Sequence, residues 1–296
     1  MRLITNPGTN LPADFIAEHD VEILPQQIVV DEVHHDTRSG VSLETIDAWV
    51  MGAKVHPYVL GTSAAEFAGH LSRLGANDLE QLVVMTSRNL INSYDACVAG
   101  RRTLENHPRW KQLKVHVVDS TVTDIATGML TIYLALARRA GHGLEECAEL
   151  AESFVAATRA WFVVKELDYL VRGGRASFLK AWAAKFLGVR PILELANGQV
   201  ESVGKYKTKE TPSDVLRNWV RTARAPDAGR RVWLGISHGN APDQADALAG
   251  ALGQDLDVQR SEILPLTPSI YLHSGPGSVL VSVTDLDALP WVPSRD

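Results

Sequence analysis

Short apolar runs alternate with longer stretches in which apolar residues recur every three or four positions. Val21-Glu22-Ile23-Leu24, Gln27-Ile28-Val29-Val30, Gln81-Leu82-Val83-Val84-Met85 and Val115-His116-Val117-Val118 read as strands. Helical spacing runs through Ser42–Met51, Ala64–Leu74, Ser93–Asn106, Asp124–Arg139 and Leu144–Arg159. Strand followed by helix, repeated at about 30 residues per unit, predicts a mostly parallel sheet.

The pattern resumes after Arg159. Ala160–Val164 is a strand, Ala176–Leu187 a helix, and Pro191–Leu195 and Val200–Tyr206 two strands joined at Asn197-Gly198, a hairpin turn. Pro212–Arg224 reads as a helix, Arg231–Ser237 as a strand, Pro242–Leu252 as a helix and Val279–Thr284 as a last strand. A soft boundary falls near residues 155–160, and no linker-like tract separates the halves. A chain of 296 residues suits two domains.

Composition is ordinary for a globular protein, and a net charge of −6 argues against general nucleic-acid or membrane-surface binding. That charge is uneven. Between Arg172 and Lys209 eight cations face two acids, a net +6, which leaves −12 on the remainder. Such a segment is either a solvated surface or a face for an acidic partner. Ile125–Ala137, the longest uncharged apolar stretch, has 13 residues, short of the roughly 20 a membrane-spanning helix needs. The opening residues do not read as a signal peptide, and Cys97 and Cys147 read as two buried thiols, so a cytoplasmic location is expected.

Polar clusters stand at strand ends, where α/β sheets place ligands. Gly61-Thr62-Ser63 leads into a helix, with Ser63 and Glu66 spaced as a capping box. Thr86-Ser87-Arg88-Asn89-Leu90-Ile91-Asn92-Ser93-Tyr94 is a second strand-to-helix turn. Either can be an ordinary helix cap or a cradle for an anion. Tyr169–Arg175 sets two glycines between arginines, and reads as a helix end or as guanidinium groups aimed at an anion. His273 precedes Gly275-Pro276-Gly277, and His238-Gly239-Asn240 repeats the theme. No nucleotide-binding glycine loop, nucleophile elbow or metalloprotease motif occurs, which leans towards binding rather than catalysis.

In order, these segments resemble the DegV family of bacterial fatty-acid-binding proteins. Thr5–Pro12 resembles that family's T-D-S-T-A-D-L-P, and Thr62-Ser63 with Glu66-Phe67 resembles a shortened T-S-Q-P-S-P-x-E-F. Ser87–Tyr94 resembles S-S-x-L-S-G-T-Y, and Val117–Ser120 with Gly128 resembles V-I-D-S and its glycine-bearing helix. Leu170–Arg175, Pro191–Leu193 and Gly198 resemble Y-L-x-x-G-G-R-I…K-P-I-L…D-G, and His273–Gly277 resembles H-T-G-P-G. The resemblance implies two α/β domains, 1–158 with a three-layer arrangement and mostly parallel sheet and 159–296 with a mixed sheet. It places a long-chain fatty acid between them as the ligand, with no further cofactor and no metal.

By residue match, the carboxylate would meet Thr62, Ser63, Ile91, Asn92 and Ser93, with Arg175, His273 and Gly275 close by. The family's arginine after the hairpin, linked to phosphotransfer by a partner, is matched by Lys207. The implied protein is non-catalytic. It presents the acid to the ATP-binding subunit of a fatty acid kinase, and the acyl-phosphate serves phospholipid synthesis. Phe178, Trp182, Phe186 and Leu187, at helical spacing, could line the acyl tunnel or form ordinary core. The sequence departs from the pattern in three places. Asn6-Pro7 replaces Asp-Ser, the loop after Ser63 is three residues shorter, and Ile91-Asn92 replaces Ser-Gly. The last change removes one hydroxyl from the carboxylate turn. A phosphotransfer subunit related to dihydroxyacetone kinase, using His273 or His238, and a vestigial member acting through partner binding are the alternatives.

Overall fold

The computed structural model describes residues 1–174, 188–224 and 229–294. Strands β1 (Arg2–Thr5), β2 (Val21–Ile23), β3 (Gln27–Val30), β4 (Val33–Asp36), β5 (Tyr58–Leu60), β6 (Glu80–Met85) and β7 (Lys114–Asp119) occupy the first part of the chain. Strands β8 (Thr158–Val163), β9 (Val189–Ala196), β10 (Gln199–Lys207), β11 (Arg231–His238), β12 (Asp257–Pro265) and β13 (Val279–Asp285) follow. They form three sheets: parallel β2-β1-β6-β7, antiparallel β4-β3-β5, and mixed β10-β9-β8-β13-β11-β12. The expected parallel-then-mixed α/β architecture is what the chain adopts. Residues 27–60, however, leave the parallel sheet and build the small antiparallel one.

The parallel strands are near-continuous apolar runs because both of their faces are covered. Ile4, Val83 and Met85 pack against Phe67 and Leu71 of the Ala64–Gly75 helix and Cys97 and Leu104 of the Ser93–Glu105 helix. Leu3, Leu82 and Val84 face the Ile125–Arg139 and Leu144–Ala157 helices on the other side. Three layers result. Both cysteines are buried and free, and burial pushes the Cys97 thiol up to about 12 and that of Cys147 up to about 11.

The Ile125–Arg139 helix carries apolar or small residues on every side because it lies between the two larger sheets. Met129, Leu130 and Tyr133 touch the parallel sheet on one flank and Trp233 of β11 on the other. Residues Ile125–Ala137, too short to span a bilayer, are therefore a core helix.

Alternation along β8 divides the mixed sheet's two faces. Trp161 and Val163 face a core with Leu216, Val220, Leu248 and Leu252, from the Pro212–Ala223 and Pro242–Asp255 helices. Ala160, Phe162 and Val164 turn inward with Leu193, Leu195 and Leu280, towards Val122 and Ile125. The hairpin forms at Asn197-Gly198 as expected, both residues having positive φ (49° and 77°). The predicted helix Leu144–Arg159 overruns. Thr158 and Arg159 belong to β8, paired with Thr284 and Val283. The predicted helix Ala176–Leu187, with Phe178, Trp182, Phe186, Leu187 and Arg175 before it, lies outside the described residues.

Candidate functional site

All four parallel strands point their carboxyl ends at one cavity. β1 is followed by Gly8, β2 by Gln26, β6 by Thr86, Leu90 and Ile91, and β7 by Thr123, and each of these residues is on its wall. The order β2-β1-β6 sends successive connections to opposite sides of β1, which opens a crevice where they part. The facing wall is the inner surface of the mixed sheet, with Phe162, Leu195, Val200 and Leu280. Ile270 and His273, on the Pro268–Ser274 helix, close a third side. The cavity measures about 90 Å³, and its surface is overwhelmingly carbon.

The two predicted strand-to-helix turns meet beside this cavity. A methyl group on Gly61 would strike Asn92 Oδ1 and crowd Ser93 Oγ, so the two loops lie against each other. Ile91 is on the wall, Ser93 is buried, and exposed Asn92 caps the Ser93–Glu105 helix without using its side chain. Thr62 is half-buried, and its hydroxyl donates to Pro25 O at 2.7 Å. Ser63 is exposed and committed to the capping box: its Oγ accepts from Glu66 N at 3.3 Å and donates to Glu66 Oε2 at 2.6 Å.

His273 occupies the last turn of its helix, and Gly275 ends that helix at φ 70° with the Tyr169 ring against it. A side chain at Gly173 would collide with His273 Nδ1 and with Tyr169 O. Only glycine lets the end of the Leu167–Arg172 helix approach the histidine so closely. The Tyr169–Gly174 and His273–Gly275 motifs are thus one cluster in space. The His56 ring is 6.5 Å from that of His273, and its Nε2 lies 3.2 Å from Leu272 O; burial lowers its pKa. His238, at the end of β11, takes the Ala241 N–H on Nδ1 at 3.2 Å, and burial likewise lowers its pKa. Lys207 is exposed on β10, seven residues beyond the wall residue Val200, or about 23 Å along an extended strand. Among the described residues no group of three or more His, Cys, Asp or Glu side chains could hold a metal ion.

Sequence reasoning missed two polar side chains here. Gln26 is on the cavity wall and 4% exposed. Its signal was a polar residue just before β3, two positions ahead of Ile28 and so in step with that strand's alternation. Asp124 is fully buried and joins the loop after β7 to the start of the Pro268–Ser274 helix. It accepts from Asn10 Nδ2 at 2.9 Å, Thr267 N at 3.0 Å and Thr267 Oγ1 at 2.9 Å. Burial raises its pKa, while these hydrogen bonds pull the other way. Its signal was an acid at the head of an uncharged apolar run.

Comparison with known proteins gives a consistent result. The model of the DegV family, described as an uncharacterised protein family, matches residues 1–285. A DegV domain-containing protein of Streptomyces coelicolor is 28% identical, over 95% of this chain and 97% of its own. Among solved structures, a DegV family protein from Thermus thermophilus described as binding fatty acid superposes with a TM-score of 0.84 at 21% identity, covering 96% of this chain and 99% of its own. A DegV family protein from Ruminococcus gnavus, refined with vaccenic acid, gives 0.84 at 18% identity, covering 95% and 98%.

Proposed function

The chain belongs to the DegV family, and on that premise we propose that it is a non-catalytic carrier of a long-chain fatty acid. The carrying observation is the carbon-lined cavity at the carboxyl ends of four parallel strands, with hydrogen-bonding groups gathered at one margin. An acyl chain gains roughly 0.8 kcal/mol for each CH₂ it hides from water. A carboxylate needs donors wherever it is withdrawn from solvent. Asn92, Ser93 and the imidazole of His273 supply them, and Thr62 joins if its hydroxyl turns away from Pro25. Ile91 takes part as an apolar wall, and the Ser63 hydroxyl already serves Glu66.

In this reading segments 1–158 and 159–296 are two domains holding the ligand between them. The loaded protein acts in the cytoplasm and presents the carboxyl group to the ATP-binding subunit of a fatty acid kinase for phospholipid synthesis. Gly275 borders the head group, Arg175 is proposed as its cationic partner by motif match alone, and exposed Lys207, remote from the wall, belongs to the surface that meets the kinase.

Mass spectrometry of the purified, denatured protein tests the ligand. A co-purifying long-chain acid and saturable binding in titration are expected; absence of both removes the lipid reading. His273→Ala and Ser93→Ala should each weaken fatty-acid binding about tenfold, as loss of a hydrogen bond to a charged group does, with folding intact. Unchanged affinity in both would place the carboxylate elsewhere.

A further inference from the structure

Gln26 is out of keeping with its surroundings. It lies on the wall of a cavity that is otherwise mostly carbon, and its Oε1 is buried without a hydrogen-bond partner among the described residues. Other polar wall residues have their hydroxyls engaged. Ser274 Oγ donates to Ile270 O at 3.1 Å, Ser278 Oγ to Gly275 O at 2.6 Å, and Thr86 Oγ1 accepts from Asn6 at 3.1 Å. A buried amide left without partners is costly, and apolar residues of similar size would remove that cost.

The position is also held firmly. Thr62 Oγ1 donates to Pro25 O at 2.7 Å, and Thr37 donates to Gln26 O from both N and Oγ1 at 3.0 Å. The main chain on either side of the Pro25–Gln26 link is therefore pinned, and the carboxamide is presented from a fixed base.

We infer that Gln26 is a specificity residue for an oxygenated acyl chain, one bearing a hydroxyl group part-way along it. The inference rests on the fatty-acid reading above. An unmodified chain offers Oε1 nothing, and in that reading the carboxylate is held instead by Asn92, Ser93 and His273. A chain hydroxyl donates to Oε1, and after a half-turn of the amide it accepts from Nε2. Plain acids leave Oε1 unpaired; hydroxylated ones complete it.

The test is a titration of the delipidated protein with octadecanoic acid and with its 3-hydroxy, 10-hydroxy and 12-hydroxy derivatives. At least one derivative should bind about tenfold more tightly than octadecanoic acid, the scale of one net hydrogen bond. In Gln26→Leu that preference should vanish, the affinity ratio of each derivative to octadecanoic acid falling to about one. The melting temperature of the ligand-free variant, expected at or above that of the parent, shows that it folds. A parent protein that binds octadecanoic acid with no preference for any derivative overturns this inference alone. So does a preference that survives in Gln26→Leu. Failure to bind any of the four acids overturns the fatty-acid reading together with it.

Discussion

Asp124 shows how one side chain can be read wrongly from its neighbours. In the sequence it is the first residue of the helical stretch Asp124–Arg139. In the fold it is fully buried and bonded to Asn10 and Thr267, residues 114 and 143 positions away. It also holds φ 54° and ψ −130°, a conformation that suits glycine and strains other residues. Asp124→Ala removes the acceptor for four donors, Asn10 Nδ2, Thr267 N, Thr267 Oγ1 and Ile125 N, and keeps the strain, so a loss of about 3 kcal/mol is expected by urea denaturation. Asp124→Gly loses the same bonds but relieves the backbone, and should cost measurably less. Equal losses would mean the backbone stores no strain there. The partners of such a residue are chosen by tertiary contacts far along the chain, which local pattern does not carry.

Elements were legible where their own chemistry decides them. Asn197-Gly198 formed its hairpin because both residues accept positive φ, and β8 kept its alternation because each face meets a different core. Elements decided by neighbours were not. β12, Asp257–Pro265, is a polar edge strand with no apolar alternation to betray it. The end of the Leu144–Ala157 helix was overrun because the pairing of Thr158 with Thr284, with a 2.7 Å contact between their hydroxyls, takes the chain into the sheet.

The hairpin has a task beyond its own turn. Ser87 Oγ donates to Gly198 O at 3.0 Å, and Asn89 Nδ2 to Asn197 O at 2.9 Å. The tip thereby clamps the loop that carries Leu90 and Ile91 to the cavity. Gly198→Ala adds a methyl group against Ser87 Oγ at φ 77°. A loss of about 1–2 kcal/mol in thermal or urea unfolding is expected, with weaker binding of the acyl ligand. Normal affinity in the variant would show that the clamp does not shape the site.

At the scale of the whole molecule, stability should depend on pH through histidines buried in their neutral form. Burial lowers the pKa of His19, His56, His70 and His238 from the ordinary 6.5. As pH falls through that value the unfolded chain takes up protons that the folded chain resists, so stability drops on the acid side. Asp124, with its raised pKa, works in the opposite sense, its contribution lost as pH rises above the carboxylate range. Urea midpoints should fall between pH 7.5 and pH 5.5, and the slope should be shallower in His238→Gln. A flat profile would mean these imidazoles titrate as they do in water. The parallel sheet was visible in strand-and-helix rhythm alone, whereas the three layers and the mixed sheet came with the family resemblance. The meeting of loops from both halves around one cavity was suggested only by motif order.

The strand order of the mixed sheet sets a timetable for synthesis. β13, last of the described strands in sequence, lies in its middle, with β8, β9 and β10 on one side and β11 and β12 on the other. Until residues 279–285 leave the ribosome, the two groups have no common backbone partner, and the inner wall of the cavity lacks Leu280. Such late, distant pairing makes for slow closure. A nascent chain would expose the apolar lining of both flanks while it waits, so the greatest risk of aggregation comes just before residues 279–285 emerge.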